Sequence, residues 1–137
     1  MARELLLDTG PFVALIDRSE ERHRDCVRVL EGWTGAIVTS EAVLTETLHL
    51  LGPGWRARGA CLEFVLRGAV LLIPSSIESL RRVAKLMEKY ADLPMDYADA
   101  TLVALAEELD TDQVFTLDRL DFSIYRLYGT RPFRLLP

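Results

Sequence analysis

The segment Leu5-Leu6-Leu7, followed at once by Asp8-Thr9-Gly10-Pro11, constrains the fold of this chain more than any other stretch. Three consecutive large apolar residues, closed by a carboxylate and a Gly-Pro breaker, predict a short strand buried on both faces. Such strands belong to parallel sheets covered by helices, in which ligands bind beyond the carboxyl ends of the strands. Asp8 stands at such an end. It either serves a site at this edge or only satisfies backbone donors in the turn that follows.

The rest of the chain alternates short apolar runs with amphipathic segments, which predicts further strands separated by helices. The predicted strands lie at 35–39, 69–73, 114–117 and, at an edge, 133–136. The predicted helices lie at 12–17, 20–33, 40–51, 55–66, 76–90 and 96–109. This alternation predicts an α/β fold, a three-layer sandwich in which helices flank a mainly parallel sheet. A length of 137 residues predicts a single domain, residues 1–137.

The charge balance narrows the class of protein. Sixteen basic residues against 21 acidic ones give a net charge of −5, which argues against binding nucleic acid through a broad basic surface. A nuclease whose clustered carboxylates are neutralised by divalent metal remains compatible with this charge. The two cysteines, Cys26 and Cys61, lack the spacing of a zinc site or a disulfide framework. With no signal-peptide pattern and no run of ~20 apolar residues, we expect a cytoplasmic protein without a membrane partner.

Four acidic residues occupy positions that a purely structural account does not require. Asp8 and Asp118 each end a predicted strand, whereas Glu46 and Asp99 lie beside the apolar stripes of predicted helices. In a parallel sheet these four could converge in one crevice at the carboxyl edge. A group of carboxylates without His or Cys is a hard-oxygen site that suits Mg²⁺ or Mn²⁺.

Each of these acids also has a structural explanation. Asp8 and Asp118 would serve as turn formers, and Glu46 would pair with an arginine. Asp99, together with Asp96, would stabilise the positive end of its helix. Asp99 is the strongest case for a site, because its helical neighbours at i−4, i+3, i+4 and i+7 are all apolar. An unpaired carboxylate there needs a cation, a hydrogen-bond partner or a proton.

Taken together, the segments that carry these acids resemble a known family. In order they read LLLDTGP (5–11), TSEAVLTE (39–46), DYADATLVA (96–104) and VFTLDRLDF (114–122). The ordered set is similar to PIN domains, and most similar to the VapC-type toxin ribonucleases of prokaryotes. The resemblance covers the whole chain. It implies a parallel sheet of strand order 3-2-1-4-5 and an endoribonuclease dependent on Mg²⁺ or Mn²⁺. It also implies a homodimer that a small antitoxin protein inhibits.

The resemblance assigns roles to individual residues. Asp8, Glu46, Asp99 and Asp118 match the four acidic positions of the family, with Asp8 and Asp99 expected to hold metal and the other two in support. Asp96 and Asp121 match extra acids that many members carry, and Thr116 falls where members place a hydroxyl beside the last acid. We expect Asp99 to contact the metal directly. We expect Asp96 to cap its helix or to act on the metal from further away.

The expected chemistry is hydrolysis of an RNA phosphodiester by a metal-activated water, which requires no histidine base. Four arginines that follow strand ends are candidates for phosphate contacts, although each is also explained as a solvated surface residue. They are Arg18, Arg22, Arg24 and Arg119.

Other α/β classes fit the sequence less well. A receiver-type phosphoacceptor needs an acidic acceptor after the third strand, where this chain has Pro74-Ser75. A haloacid-dehalogenase phosphatase needs Asp-x-Asp after the first strand, where this chain has Asp8-Thr9-Gly10. A non-catalytic PIN-like module that binds RNA or a protein stays open as the alternative.

Overall fold

The computed structural model describes residues 3–137, so the first two residues of the predicted domain lie outside the described part. The strands are β1 (Leu5–Leu7), β2 (Ile37–Ser40), β3 (Leu71–Ile73), β4 (Gln113–Phe115), β5 (Arg126–Leu127), β6 (Arg131–Pro132) and β7 (Arg134–Leu136). The helices are α1 (Thr9–Ile16), α2 (His23–Gly32), α3 (Glu41–Leu50), α4 (Trp55–Leu66), α5 (Ile77–Lys89), α6 (Tyr97–Leu109) and α7 (Arg119–Ile124).

Five of the strands form one sheet in the order β3-β2-β1-β4-β7, and every neighbouring pair is parallel. This order equals 3-2-1-4-5 when the strands of the sheet are counted along the chain, so the predicted topology is confirmed. Leu5, Leu6 and Leu7 are each 0% exposed. Because successive strand side chains point to opposite faces, helices must cover the central strand on both sides. The predicted sandwich is therefore confirmed. Among the helices of residues 3–137, none combines the length and apolar content needed to cross a membrane.

The helices differ from the prediction mainly at their ends. The first helix begins at Thr9 rather than at residue 12, which places Pro11 inside the first turn. Proline is tolerated there because first-turn N–H groups have no partner within the helix. Helix α2 begins at His23 rather than at residue 20. The short helix α7 and the antiparallel pair β5–β6 lie between the predicted strands 114–117 and 133–136, where the sequence analysis predicted no helix or strand.

Glu107 links the β5–β6 hairpin to helices α5 and α6. The side chain of Glu107 on α6 accepts two hydrogen bonds from the guanidinium of Arg82 on α5, at 2.6 and 3.0 Å. Its Oε2 atom also accepts the N–H of Tyr128 in the hairpin turn, at 2.7 Å. The Glu107 side chain is only 9% exposed, so these bonds form largely out of water. Glu107 therefore holds the hairpin in place.

We predict that Glu107→Ala lowers the free energy of unfolding by about 1–3 kcal/mol, because it leaves the Tyr128 N–H and the Arg82 guanidinium without their acceptor. Glu63→Ala is the matched control. It removes the exposed pair between Glu63 and Arg67, and exposed pairs contribute little. Urea unfolding of both variants measures the difference. Equal losses for the two variants would show that Glu107 is not an anchor.

Candidate active site

Asp8 lies at the carboxyl end of the central strand and is 7% exposed. Its Oδ1 atom accepts the N–H of Thr9, at 2.8 Å, and so caps α1. Its Oδ2 atom accepts the hydroxyl of Thr116, at 2.8 Å, and the same hydroxyl accepts the N–H of Asp118, at 2.9 Å. Thr116 thus connects the ends of two neighbouring strands, and it fixes Asp8 relative to the segment that carries Asp118.

Three carboxylates come together beside Asp8. One oxygen each of Asp99, Asp118 and Asp121 lies within 4.8 Å of the others, which is close enough for one cation to bind all three. Asp118 caps α7 by accepting the N–H of Asp121, at 3.1 Å. Asp99 lies in the first turn of α6 and is 8% exposed, as its apolar neighbours predicted. Asp121, expected only as an accessory residue, belongs to this closest group.

Asp8, Asp99, Asp118 and Asp121 form what we call the acidic group, and Glu46 and Asp96 lie at its rim. Both line one open depression together with His49 and Tyr97. Asp96 is exposed and accepts the N–H of Asp99, at 2.8 Å, so its predicted role as helix cap is confirmed. Glu46 does not share a hydrogen bond with the other acids of the described chain. Its part in metal binding, like that of Asp96, stays a prediction.

Tyr125 is a site residue that the sequence analysis missed. Its hydroxyl donates a hydrogen bond to Oδ2 of Asp99, at 2.9 Å, and the residue is 1% exposed. Burial and the charge of Asp99 raise the pKa of the phenol, so the hydroxyl keeps its proton and acts as the donor. The only signal in the sequence was an aromatic stretch without apolar periodicity. Nothing in it indicated a contact with a residue 26 positions earlier.

Comparison with known proteins identifies the family to which this arrangement belongs. The sequence profile of the PIN domain matches residues 5–126. The chain belongs to the PIN domain family. Ribonuclease VapC26 of Mycobacterium tuberculosis is 30% identical to it over 135 residues, which cover 97% of this chain and 100% of the relative. The predicted family is therefore confirmed.

Solved structures share the fold of this PIN domain. VapC20 of Mycobacterium tuberculosis, described as a Sarcin-Ricin loop cleaving toxin, superposes with a TM-score of 0.82 at 24% identity. The match covers 93% of this chain and 99% of VapC20. VapBC2 of Rickettsia felis, bound to a DNA fragment from its promoter, gives a TM-score of 0.67 at 15% identity and covers 98% and 99% of the two chains.

Burial and mutual repulsion disfavour charge on the acids of the PIN domain. Burial raises the pKa of Asp99 to about 8, and the negative charges of Asp8 and Asp96 add to the rise. Burial likewise raises the pKa of Asp8 to about 6, although its bonds to Thr116 and Thr9 work in the opposite direction. At neutral pH Asp99 therefore carries a proton unless a cation binds beside it.

The two acids nearer solvent show the same effect. Partial burial and the charge of Asp96 raise the pKa of Glu46. The buried hydroxyl of Thr9 lies near enough to Glu46 to offset part of this rise, yet it completes no hydrogen bond within residues 3–137. Partial burial and the neighbouring Asp118 raise the pKa of Asp121. At Glu46 and Asp121, as at Asp8 and Asp99, a neighbouring carboxylate thus adds to the effect of burial.

None of the four candidate arginines forms an ion pair with an acid of the site among residues 3–137. Helix α1 has eight residues and carries the chain about 12 Å from Asp8 before Arg18 is reached. Arg22 is paired with Asp25, at 2.9 Å, and Arg24 lies in the first turn of α2. Arg119 is next to Asp118 in the chain, but its guanidinium donates to a main-chain oxygen of Pro137, at 2.7 Å. A role in phosphate contacts stays a prediction for all four.

We predict that the metal-free protein becomes less stable as the pH rises from 6 to 8. An Asp99 with a pKa near 8 keeps a proton that the unfolded chain releases near pH 3.8, so unfolding releases a proton throughout this window. The free energy of unfolding should then fall by up to ~1.4 kcal/mol per pH unit. Urea unfolding in chelator measures the slope. Asp99→Asn should flatten it, whereas Asp92→Asn, at an exposed position, should not. An unchanged slope in Asp99→Asn would contradict this origin.

Proposed function

We propose that this chain is a divalent-metal-dependent endoribonuclease and the toxin of a toxin–antitoxin pair. The prediction of a VapC-type ribonuclease is confirmed by the relationship to Ribonuclease VapC26 over nearly the whole of both chains. We further propose that Mg²⁺ or Mn²⁺ is the ion and that the catalytic acids are those of the site: Asp8, Glu46, Asp99 and Asp118, with Asp121 beside them and Asp96 acting from outside. The observation that carries the metal proposal is the close group of three carboxylates around the buried Asp99.

The donors present fit a hard divalent cation. All of them are carboxylate oxygens, which are preferred ligands of Mg²⁺ and Mn²⁺. None of the ion pairs formed among residues 3–137 involves one of these acids, so no side chain of the described protein neutralises their charge. A divalent ion would replace the proton that the raised pKa of Asp99 indicates at neutral pH, and it would offset the charge of Asp8.

The chain's own residues would divide the work as follows. Asp99, Asp118 and Asp121 would supply the oxygens that hold the ion, and Asp8 would complete the site from the end of the central strand. Thr116 orients Asp8 through its hydroxyl. When bound, a divalent ion activates water for attack on phosphorus and neutralises charge on the phosphate oxygens. The exposed depression beside Glu46 and Asp96 leaves room for the RNA strand to reach the acids.

We propose the following partners. The substrate is RNA, and the inhibitor is a small antitoxin protein, since similar folds come from VapBC2 and from a toxin–antitoxin complex of Klebsiella pneumoniae. An arginine of the antitoxin would enter the acidic group, because a guanidinium pairs well with carboxylates. We also propose that residues 1–137 act as one domain within a homodimer in the cytoplasm.

We predict that chelator abolishes RNA cleavage and that Mn²⁺ or Mg²⁺ restores it. Without a cation between them, the negative carboxylates would repel the phosphate, and no group would activate the attacking water. Cleavage of a mixed RNA pool, with each ion titrated into chelated protein, tests this. An Asp99→Asn preparation, purified identically, controls for contaminating ribonuclease. Robust cleavage in chelator by the wild-type protein would refute metal dependence. Binding of RNA without cleavage under any condition would favour the non-catalytic module.

We predict different outcomes for Asp96 and Asp99, the two acids at the start of α6. Asp99→Asn removes a central oxygen ligand and should abolish cleavage almost completely while the protein stays folded. Asp96→Asn keeps an oxygen that can cap the helix and should lose about 10- to 100-fold, as expected for an outer position. Cleavage rates at saturating Mn²⁺ measure both. If Asp96→Asn is inactive and Asp99→Asn stays active, the assigned ligands are reversed.

A further inference from the structure

Helix α7 and its capping residues link Asp118 and Asp121 to Asp99, which lies on α6. Asp118 caps its N-terminal end, and Tyr125 follows its last residue and donates its N–H to the carbonyl of Asp121, at 3.1 Å. The Tyr125 hydroxyl then crosses to α6 and donates to Oδ2 of Asp99, at 2.9 Å. This short helix and its two capping residues therefore supply two of the three grouped carboxylates, Asp118 and Asp121, and a direct hydrogen bond to the third.

The Tyr125 ring has little freedom to move. Its edge-on contacts with the rings of Tyr90 and Phe122 have centroid distances of 5.1 and 5.2 Å. The Tyr90 hydroxyl accepts the N–H of Arg126, at 3.0 Å, and forms no hydrogen bond with an acid of the described site. A buried phenol packed in this way presents its hydroxyl at one point in space. The position of Asp99 relative to α7 is therefore set by a rigid group.

We infer that Tyr125 is a positioning residue for the divalent ion: its hydroxyl holds the Asp99 carboxylate at the separation from Asp118 and Asp121 that lets one ion bind all three. The inference rests on the proposed metal-dependent function. Oδ2 of Asp99 accepts the hydrogen bond from the Tyr125 hydroxyl, and this bond restricts rotation of the carboxylate. The other oxygen, Oδ1, stays available to the ion. Hydrogen bonds of this kind, made to metal ligands from behind, contribute substantially to metal affinity.

Tyr125→Phe tests the inference, because it removes the hydroxyl and keeps the ring. Tyr90→Phe is the matched control. It also removes a hydroxyl from the aromatic cluster, but the Tyr90 hydroxyl is bonded to the N–H of Arg126 and not to an acid. Mn²⁺ binding to each purified protein, without RNA, is measured by electron paramagnetic resonance of the free ion. We expect Tyr125→Phe to weaken binding by about 10- to 100-fold and Tyr90→Phe by less than about twofold. Melting in chelator shows whether each variant is folded.

Two further measurements separate positioning from general support of the fold. The Mn²⁺ concentration for half-maximal cleavage should rise in Tyr125→Phe, while the rate at saturating Mn²⁺ largely recovers. In an Asp99→Asn background, Tyr125→Phe should change Mn²⁺ affinity little, because the hydroxyl acts through Asp99. Wild-type affinity in Tyr125→Phe, an equal loss in Tyr90→Phe, or a full additional loss in the Asp99→Asn background would each overturn the inference. If the wild-type protein binds no Mn²⁺, the proposed metal site itself fails.

Discussion

The acids of the site stay close together because three of the carboxylates that repel one another also cap the N-terminal ends of helices. Asp8, Asp96 and Asp118 each accept an N–H in the first turn of α1, α6 and α7, respectively. These bonds stabilise negative charge at the start of a helix, and they fix where each carboxylate lies. At these three acids, local structure therefore opposes the repulsion within the site. The acids stay together although no cation of the described chain pairs with them.

The parallel sheet decides which acids meet. Strand β1 lies between β2 and β4, so residues that follow these neighbouring strands emerge at one edge. Asp8 and Thr116 directly follow β1 and β4, and their side chains bond across that edge. Helix α6 brings Asp99 to the same place from further along the chain. The fold and the site thus have one origin: a central strand too apolar to lie anywhere but the core, with a carboxylate at its end.

Sequence reasoning predicted the parts of this arrangement that depend on local pattern. The burial of Asp99 followed from its apolar neighbours on one helix, and the cap at Asp96 followed from its place before that helix. The sheet order followed from a family resemblance. The pattern could not find α7, since a helix of six residues is too short to show periodicity. Nor could it find the bond between Tyr125 and Asp99, or the distance that α1 places between Asp8 and Arg18. Contacts of this kind depend on packing between distant segments.

The two most buried acids of the site, Asp8 and Asp99, each accept a hydrogen bond from a neutral hydroxyl rather than from a positively charged side chain. The neutral donor matters for function. Thr116 donates to Asp8 and Tyr125 donates to Asp99, and each bond favours the ionised carboxylate. A lysine or arginine in either place would favour ionisation more strongly, but its own positive charge would repel a divalent ion. A neutral donor orients the carboxylate and leaves the net negative charge of the group intact. The site is in this way held in a state that is unfavourable without a cation, and binding a cation relieves that cost.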